Sequence, residues 1–589
     1  MSSAQQSYAA NLAAGNQRLQ QLRKQSSVLS FLRLLFFLVG AWFIYKAIIG
    51  QASILPGIIS TVLFIISVRI ALTLQDRKRL QEKLVFVNQN ELNIIAGNKN
   101  KFSDGAGFTN ADNYSADLDI FGGGSLFELL NRTTTGLGSD RLAAALTGSL
   151  IDETQIESTQ EAVRKLSTQN EIRQMITAQG LLHEEESGSL QDIKTWLQET
   201  NRMQPLKWLQ VIRFIVPAFN IWAFYYFLDT DNQGPLLVGL AIAFIIIFAF
   251  SKYIFSQHKL VTKKQAILDQ YSGILKHFTT VDPGNSKLLI ELKSKAEDAG
   301  DSMYRLARLA SMFDQRLNLV VLILLNGLLL YDIQCMLQLE RWKDANKLKF
   351  DDWTDVVGRI ELLNSLAAFT FNNPGYTFPL VSEDLCIEAD AIGHPLIRSG
   401  KGVPNSIITG RNEKLIVLTG SNMSGKTTFL RTLGVNLVLA QCGAPVCARR
   451  FLFKPMLILT SIRVGDSLQE NTSYFMAELK KLRRIIDTLG SGKPALVLID
   501  EILRGTNSDD KTHGSEKFIL KLLQYNCLTL FATHDLSLSV MATELPGKIS
   551  NYCFESVIDN GELLFDYTLQ HGVARNKNAS FLMQKMGII

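Results

Sequence analysis

Residues 420–427 have the types and spacing of a phosphate-binding loop, Gly-Ser-Asn-Met-Ser-Gly-Lys-Thr. The segment fits the pattern G-x-x-x-x-G-K-[ST], in which backbone N–H groups face a phosphate and a following helix adds partial positive charge. We expect Lys426 to reach the β- and γ-phosphates of a nucleotide and the Thr427 hydroxyl to bind Mg²⁺. The residues predicted to bind the nucleotide are Gly420, Ser421, Asn422, Met423, Ser424, Gly425, Lys426, Thr427 and Thr428.

Two carboxylates follow a second apolar run, Ala495-Leu-Val-Leu-Ile-Asp500-Glu501. A buried strand of this kind would present both carboxylates at its C-terminal end. Asp500 is predicted to hold Mg²⁺ through water, and Glu501 to act as the general base that polarises the attacking water. By itself the run is also compatible with a solvated strand end, but its position downstream of a phosphate loop favours the catalytic interpretation.

Two further residues are candidates for contacts with the terminal phosphate. His534 closes a third apolar run, Leu528-Thr-Leu-Phe-Ala-Thr, and is predicted to be catalytic as a sensor of the γ-phosphate or of the attacking water. Ser473 precedes a basic amphipathic segment at a predicted helix N-terminus, where a hydroxyl and free amides can meet a phosphate. A structural histidine and a simple helix cap are the alternatives for these two residues.

These residues need a fold that brings several strand ends together. The apolar run 415–418 predicts a strand before the loop, and residues 428–433 predict a helix after it. From about Phe371 short strands alternate with helices, which predicts an α/β P-loop ATPase domain at the C-terminus. Residues 117–204 and 257–370 have helical patterns, so the predicted fold class is α+β multidomain.

Length and composition set broad limits. The chain has 589 residues, which is too long for one hydrophobic core, so we expect three or more structural units. The net charge of +5 is too small to indicate one kind of partner. Six cysteines are scattered without a C-x-x-C pair, which argues against a disulfide scaffold or a zinc site and predicts reduced thiols in the cytosol.

Four apolar runs predict two transmembrane hairpins. Residues 28–49 and 54–74 form the first pair and residues 208–228 and 235–255 the second, each near the roughly 20 residues that a bilayer requires. Basic residues cluster before, between and after the hairpins, which places these flanks on the cytoplasmic side. The prediction is a multi-pass protein of the cell (inner) membrane, with the lipid bilayer as partner and with the N-terminus and nucleotide site in the cytoplasm.

A fifth apolar run, residues 317–330, leaves two interpretations open. It is interrupted by Asn326 and followed by Tyr331-Asp332. Its length favours a buried core helix over a fifth span. A fifth span would also place the nucleotide site outside the cell.

Several segments resemble the MutS family of ATPases, the mismatch-repair proteins and their relatives. The phosphate loop, the acidic pair with Ile502-Leu-Arg-Gly-Thr506 after it, and Phe531-Ala-Thr-His534 carry the similarity, and Ser473-Tyr-Phe-Met resembles the family's signature loop. The similarity extends to residues 124–136 and 361–367, which resemble the start and end of the family's helical core, or lever, domain, and to His394-Pro and Val403-Pro-Asn405, which resemble the strand leading into its ATPase domain.

The resemblance implies ATP and Mg²⁺ as cofactors, an ABC-type ATPase domain and a homodimer in which Ser473 acts in trans. It also implies that ATP binding moves the lever and that DNA is the ligand. The family's mismatch-reading domain and DNA clamp have no recognisable counterpart here. Ser421 and Ser424 replace the usual Pro and Gly of the loop, and the aromatic residue that stacks on adenine in many relatives would fall near Gly402.

The predicted organisation combines these patterns. Its ranges are 1–27 N-terminal cytoplasmic lead, 28–74 first transmembrane hairpin, 75–116 linker, 117–204 first core or lever segment, 205–256 second transmembrane hairpin, 257–370 second core or lever segment, and 371–589 MutS-like ATPase domain. The leading hypothesis is a membrane-anchored MutS-like ATPase without a mismatch reader. The alternatives are an ABC-type membrane transporter ATPase and a non-hydrolysing ATP switch or scaffold at the membrane.

Overall fold

A computed structural model describes residues 3–110, 113–148, 152–183, 189–261, 264–314, 319–397, 400–421, 423–463, 474–503, 507–559, 562–575 and 588. Within these ranges the chain is α+β, as predicted, with a helical N-terminal region and a C-terminal region of strands and helices. The change falls between a helix that ends at Asn372 and a strand that begins at Leu380, close to the predicted boundary. The division into domains otherwise stays a prediction.

The helices and strands are labelled in chain order. The helices are α1 Ser3–Ile48, α2 Leu55–Ile95, α3 Tyr114–Asp117, α4 Leu126–Leu130, α5 Gly136–Leu146, α6 Glu153–Ser167, α7 Asn170–Gly180, α8 Ser189–Gln198, α9 Lys207–Thr230, α10 Gly234–Val261, α11 Gln265–Phe278, α12 Lys287–Asp314, α13 Leu319–Leu329, α14 Tyr331–Asn346, α15 Phe350–Asn372, α16 Lys426–Gln441, α17 Tyr474–Leu489, α18 Ser508–Leu522 and α19 Met541–Glu544. The strands are β1 Leu380–Val381, β2 Ile387–Ile392, β3 Asn405–Thr409, β4 Leu415–Gly420, β5 Arg450–Phe453, β6 Leu457–Ser461, β7 Ala495–Asp500, β8 Cys527–Thr533, β9 Ile549–Asp559 and β10 Glu562–His571.

The first two helices form a long antiparallel hairpin that extends well beyond its apolar half. They have 46 and 41 residues, whereas about 20 suffice to span a bilayer. Within the predicted lead, residues 3–27 are helical but not wholly solvated, because Ala4 and Tyr8 are buried. Tyr8 packs edge-on against Phe371 near the end of α15, with ring centroids 5.5 Å apart. Residues 75–95, predicted as part of a linker, instead continue α2.

A buried ion pair fastens α2 to the helical region. Arg132 Nε and Glu91 Oε1 are 2.5 Å apart, and both side chains are almost completely buried. Arg132 Nη2 donates to Glu91 Oε2 at 3.0 Å, and Asn372 Nδ2 donates to the same oxygen at 2.7 Å. Burial alone would raise the pKa of Glu91, but the Arg132 guanidinium holds it below its usual range. Because burying an unpaired charge costs free energy, this bidentate ion pair holds the C-terminal end of α2 against the helical region.

Helix α15 lies at the centre of the helical region. Its residue Glu361 accepts hydrogen bonds from the backbone N–H and the hydroxyl group of both Thr134 and Thr135. Burial raises the pKa of Glu361 to about 7, against the lowering effect of these donors. Thr134 and Glu361 are 227 positions apart, so the two separated helical segments of the sequence pack as one unit.

Helices α9 and α10 form a second apolar hairpin. In the part of the chain that the structure describes, α1, α2, α9 and α10 are long and apolar enough to cross a membrane. Helix α13 has 11 residues and is too short to do so. The helix packs against α9 and α10, and Asn326 is buried, whereas Ile323 and Leu324 are about half exposed.

The C-terminal region contains two sheets. The larger has the order β10-β9-β4-β8-β7-β6, in which β9, β4, β8, β7 and β6 are parallel neighbours and β10 is antiparallel to β9. The smaller has the order β1-β5-β2-β3. β4, β7 and β8 are buried along their whole length, as the apolar runs predict. Their carboxyl ends meet at one edge, which brings together the residues predicted from their spacing to act on phosphate.

Candidate phosphate site

The phosphate-binding pattern forms a strand, a turn and a helix, as predicted. β4 ends at Gly420, and α16 begins at Lys426. Gly425 has φ of +108°, and a Cβ atom there would meet the Tyr567 ring at 3.2 Å. Both the backbone angle and the limited space therefore favour glycine at this position. Met423 also has positive φ, +69°, and its side chain is largely exposed.

Lys426 lies beneath this turn. Its Nζ donates to the carbonyl oxygens of Gly420 at 2.6 Å and of Ser421 at 2.9 Å, and the residue is buried. The ammonium group is therefore held at the base of the loop, on the side where the carboxyl ends of β4 and β7 meet. This is the place where a positive charge can bind phosphate oxygens.

Thr427 and Asp500, the two predicted metal ligands, lie next to each other, while their metal role stays a prediction. Thr427 Oγ1 donates to Asp500 Oδ2 at 2.5 Å, although the residues are 73 positions apart in the chain. A hydroxyl and a carboxylate are the oxygen ligands that Mg²⁺ prefers, usually together with water and substrate phosphates. The described residues contain no cluster of three or more His, Cys, Asp or Glu side chains that could hold a metal ion. The Thr427–Asp500 pair thus supplies two oxygen ligands of the kind that a nucleotide-bound Mg²⁺ uses.

Glu501 and His534 also lie side by side. His534 Nδ1 and Glu501 Oε1 are 3.1 Å apart, with Glu501 mostly buried and His534 half exposed. Glu501 has φ of +49°, and its N–H donates to Ala532 O on β8 at 3.0 Å. Positive φ in a non-glycine residue carries strain and is common at functional sites. The geometry places a candidate base beside a candidate sensor, while the two roles themselves stay predictions.

A cleft of about 510 Å³ lies over the loop. Its walls include most of the predicted residues, namely Ser421, Met423, Ser424, Gly425, Lys426, Thr427, Thr428, Asp500 and Glu501. Gly420 and His534 are adjacent but do not line it. Asn422 and Ser473 lie outside the described residues, so the contacts predicted for them, including the trans role of Ser473, are not tested.

The cleft also contains residues for which the sequence predicts no site role. Tyr567 on β10 lines it, and Asn405 Nδ2 donates to the Tyr567 carbonyl oxygen at 3.0 Å. Gly402 lies in the same wall. Phe429 and Phe554 also line the cleft, so the described part of its lining has three aromatic residues, and Tyr567 comes from a strand about 165 residues beyond Gly402. No local pattern could have identified Tyr567, because only the antiparallel pairing of β10 with β9 brings it to the loop.

His394 lines the cleft next to the helix that follows the loop. Burial lowers the pKa of His394 to about 4, and the nearby Arg431 guanidinium acts in the same direction. Its Nδ1 accepts a hydrogen bond from the Leu396 N–H at 3.2 Å. The imidazole is therefore neutral at physiological pH and adds no positive charge to the cleft.

Asp117, at the end of α3, links the helical region to the site. This fully buried carboxylate accepts hydrogen bonds from the Thr460 hydroxyl at 2.6 Å, the Arg463 N–H at 3.0 Å and the Lys481 ammonium at 2.7 Å. The Ile462 N–H is a further donor at 3.2 Å. Thr460 lies on β6 and Lys481 on α17, the helix that follows the predicted signature loop.

Asp119 makes a second link two residues later. Its carboxylate pairs with Arg431 at 2.9 Å and with Arg463 at 2.6 Å. Arg431 lies on α16 little more than one helical turn after Lys426. Asp117 and Asp119 thus connect the end of α3 in the helical region to the helix that carries the phosphate-binding lysine and to α17. No motif in the sequence indicates a role for either aspartate.

Replacing Asp117 with alanine is expected to lower the free energy of unfolding by about 3–5 kcal/mol, because removing one partner of a buried ion pair leaves the other uncompensated. Thermal unfolding of the purified protein measures the loss. Asp140→Ala, at an exposed position on α5, is the matched control and should change little. Equal melting temperatures for the two variants would contradict the buried role of Asp117.

The residues present fit a nucleoside triphosphate with Mg²⁺. The loop supplies a buried ammonium and a glycine with left-handed backbone, and a hydroxyl–carboxylate pair lies next to it. The buried Ser424 Oγ has no hydrogen-bond partner within the described ranges, so it is available to a phosphate oxygen. Lys426, Ser424 and the loop amides would hold the phosphates, and Thr427 and Asp500 would hold the metal.

Comparisons with known proteins agree on one family. Residues 416–585 match the family model for MutS domain V. The chain is 31% identical over 224 residues to the DNA mismatch repair protein MutS of Thermotoga maritima, covering 37% of this chain and 27% of that protein. It is 31% identical over 236 residues to human MutS protein homolog 4, covering 38% and 24%. It is 28% identical over 243 residues to MutS of Persephonella marina, covering 39% and 27%.

The chain spans about a quarter of the length of the curated relatives it matches. The matched range begins in β4 and contains the phosphate loop, the acidic pair at the end of β7 and the histidine after β8. These are the segments whose residues converge on the cleft. Residues 416–585 of this chain are therefore similar to domain V of MutS proteins.

Proposed function

We propose that the protein is a membrane-anchored MutS-family ATPase that binds and hydrolyses ATP with Mg²⁺ in this cleft and moves its helical lever in response. The observation that carries the proposal is the 2.5 Å contact between Thr427 Oγ1 and Asp500 Oδ2. It joins the phosphate loop to the acidic strand end, with Glu501 next in the chain. A glycine-rich turn without a phosphate-binding role would not be expected to contact an acidic pair from another strand.

The proposed roles follow from these positions. Lys426 and the amides at the start of α16 bind and orient the phosphates, since a helix N-terminus favours anions. Bound Mg²⁺ would neutralise part of the phosphate charge. Glu501 accepts a proton from the attacking water, and His534, 3.1 Å away, orients that carboxylate. Because Glu501 is mostly buried, few bulk water molecules compete with the attacking one.

Movement of the lever is proposed to start at α16. The phosphate-binding lysine and Arg431 are on the same helix, and Arg431 pairs with Asp119 of the helical region. A shift of α16 when the loop closes on phosphate would therefore pull directly on that region. The parallel link through Lys481 and Asp117 connects the helix after the signature loop to the same point.

Membrane anchoring is supported by the surfaces of α1, α2, α9 and α10. Large apolar side chains such as Phe31 and Phe248 are 68% and 82% exposed on these helices, which is costly in water but favourable in lipid. The basic flanks favour a multi-pass inner-membrane topology with the N-terminus and the nucleotide site in the cytoplasm. A homodimer with Ser473 acting in trans, and DNA as a ligand, rest on family resemblance.

The test of the proposal is steady-state ATP hydrolysis by the purified full-length protein in detergent. We expect phosphate release that saturates with ATP and falls to the buffer level when EDTA removes Mg²⁺, because Thr427 and Asp500 would hold a Mg²⁺ that neutralises part of the phosphate charge. Tight ATP binding without phosphate release would instead favour the non-hydrolysing switch. ATP-dependent solute flux in sealed proteoliposomes would favour the transporter.

A further inference from the structure

Helix α13 packs along α9 and α10, the two helices of the second apolar hairpin. Asp314, at the end of α12, lies 3.3 Å from His258 near the cytoplasmic end of α10. Gly327 on α13 lies against Leu240 and Phe244 of the same helix. These residues are about 14 to 18 positions before His258, roughly 21–27 Å away at the α-helical rise. The C-terminal half of α13 therefore lies at the depth of the proposed spans.

After α13 the chain returns toward the proposed cytoplasmic end of the second apolar hairpin. Helix α14 begins directly after α13, and Gln334 Nε2 donates to the Arg213 carbonyl oxygen at 2.7 Å. Further along, Arg341 Nη2 donates to Gln210 Oε1. Gln210 and Arg213 lie in the first two turns of α9, at its cytoplasmic end. The segment from α12 to α14 thus enters and leaves on the same side.

Two asparagine side chains form hydrogen bonds with backbone groups near the interruption between α13 and α14. Leu330 has φ of +51° and separates α13 from α14. Asn220 Nδ2 on α9 donates to the Gly327 carbonyl oxygen at 2.7 Å, and Asn326 Oδ1 accepts from the Asp332 N–H at 2.8 Å. In a bilayer, a helix break is tolerated only when neighbouring groups satisfy the freed backbone groups. Both asparagine side chains supply such bonds.

Glycines allow the three helices to approach closely at this point. A Cβ atom at Gly239 would lie 1.9 Å from Asn220 Oδ1, and one at Gly327 would lie 2.9 Å from Leu240. Small residues at helix contacts are typical of packing within membranes. Ile323 and Leu324 of α13 are about half exposed, and Ile245 of α10 is 68% exposed, so both helices present apolar side chains outward.

From these contacts we infer that α13 is a re-entrant membrane helix whose outer face binds the acyl chains of the lipid bilayer. This inference rests on the proposed membrane anchoring and gives the apolar run 317–330 a third interpretation, neither fifth span nor soluble core helix. Helix α13 follows α12, which packs against α11 and α15 of the helical region. A lever movement would thus reach the bilayer through α12.

The experiment introduces one additional cysteine at a time, labels it with bimane, and uses the whole chain reconstituted into phosphatidylcholine vesicles. Leu324→Cys reports on α13, Ile245→Cys on the α10 span, and Leu348→Cys on an exposed aqueous position. We expect quenching by doxyl-labelled phosphatidylcholine to be at least about threefold stronger at 324 and 245 than at 348, and the reverse for iodide, because a doxyl group on an acyl chain reaches only groups in the hydrocarbon core. Wild-type protein measures labelling of the native cysteines.

Each other outcome overturns the inference in a distinct way. Iodide quenching at 324 with lipid quenching at 245 would leave the anchor intact and place α13 in water. Iodide quenching at 245 would reject the membrane proposal itself. Protection of 324 from both quenchers would mean that protein, such as a second copy of the chain, covers the helix.

The side of the membrane on which the residues before and after α13 lie distinguishes a re-entrant helix from a fifth span. Tyr304 on α12 and Leu348 after α14 are both exposed and flank α13. A membrane-impermeant maleimide should label Tyr304→Cys and Leu348→Cys from the same side of sealed vesicles. Labelling from opposite sides would show that α13 crosses the membrane, and the inference would be wrong.

Discussion

Replacing Lys426 with alanine is expected to reduce ATP turnover to the level of the buffer and to weaken ATP binding about 10- to 150-fold. The ammonium group is the buried positive charge at the base of the loop, held by the Gly420 and Ser421 carbonyl oxygens. A hydrogen bond to a charged group contributes about 1.5–3 kcal/mol, which sets the expected loss of affinity. Alanine would also leave both carbonyl oxygens without this donor.

The measurement combines phosphate release with equilibrium binding of a fluorescent ATP analogue. Lys493→Ala removes a lysine from an exposed position of the same domain and should behave as wild type. Thermal unfolding of both variants shows whether the loop change has affected the fold. If the Lys426 variant hydrolyses ATP as fast as wild type, the cleft is not the site of hydrolysis.

Replacing Glu501 with glutamine is expected to lower kcat about 10²- to 10⁴-fold while the Kd for ATP changes by less than about threefold. General-base catalysis typically contributes a factor of this size, and glutamine keeps the shape of the side chain but cannot accept the proton. Glu501 is not among the predicted phosphate ligands, so binding should survive. The contact with His534 at 3.1 Å would persist as a neutral hydrogen bond.

Single-turnover hydrolysis and ATP binding, measured on the same preparation, check this result. Glu544→Gln, on the exposed side of α19, is the matched control. A loss of binding equal to the loss of turnover would assign Glu501 to nucleotide binding instead of proton transfer. An unchanged kcat would remove the general base from the proposed mechanism.

A comparison of the two variants shows whether ATP binding or ATP hydrolysis moves the lever. If ATP binding alone moves the helical region through Arg431 and Asp119, the Glu501 variant should still show an ATP-dependent change that the Lys426 variant lacks. The contacts of Asp119 with Arg431 and Arg463 provide the physical route. Protease protection of the helical region with and without ATP provides the readout.

Much of the candidate site was predictable because its elements are local in the sequence. A run of apolar β-branched residues, a glycine turn and a helix former specify the strand, loop and helix around Lys426 with no distant contact. The apolar run before Asp500 likewise predicts a strand that ends in an acid. The four apolar helices follow from length and hydropathy alone.

Other features were missed because they depend on contacts between distant segments. The run 75–95 contains enough polar residues to resemble a linker, yet it continues a helix, and its Glu91 is buried against Arg132. The run 317–330 has the composition of a core helix, yet its neighbours are two apolar helices, and the outer face of α13 is exposed. Composition does not show which partner an apolar face has.

The amino-acid sequence by itself determined the chemistry available to this protein: a phosphate loop, an acid pair, a histidine and four apolar helices, each encoded within a short run of residues. Only the tertiary structure decided which of these groups meet, since Thr427 reaches Asp500 across 73 positions and Tyr567 reaches the loop through strand pairing. The physical reason is that local patterns follow from backbone geometry and hydropathy, whereas long-range pairing depends on the packing of the whole chain.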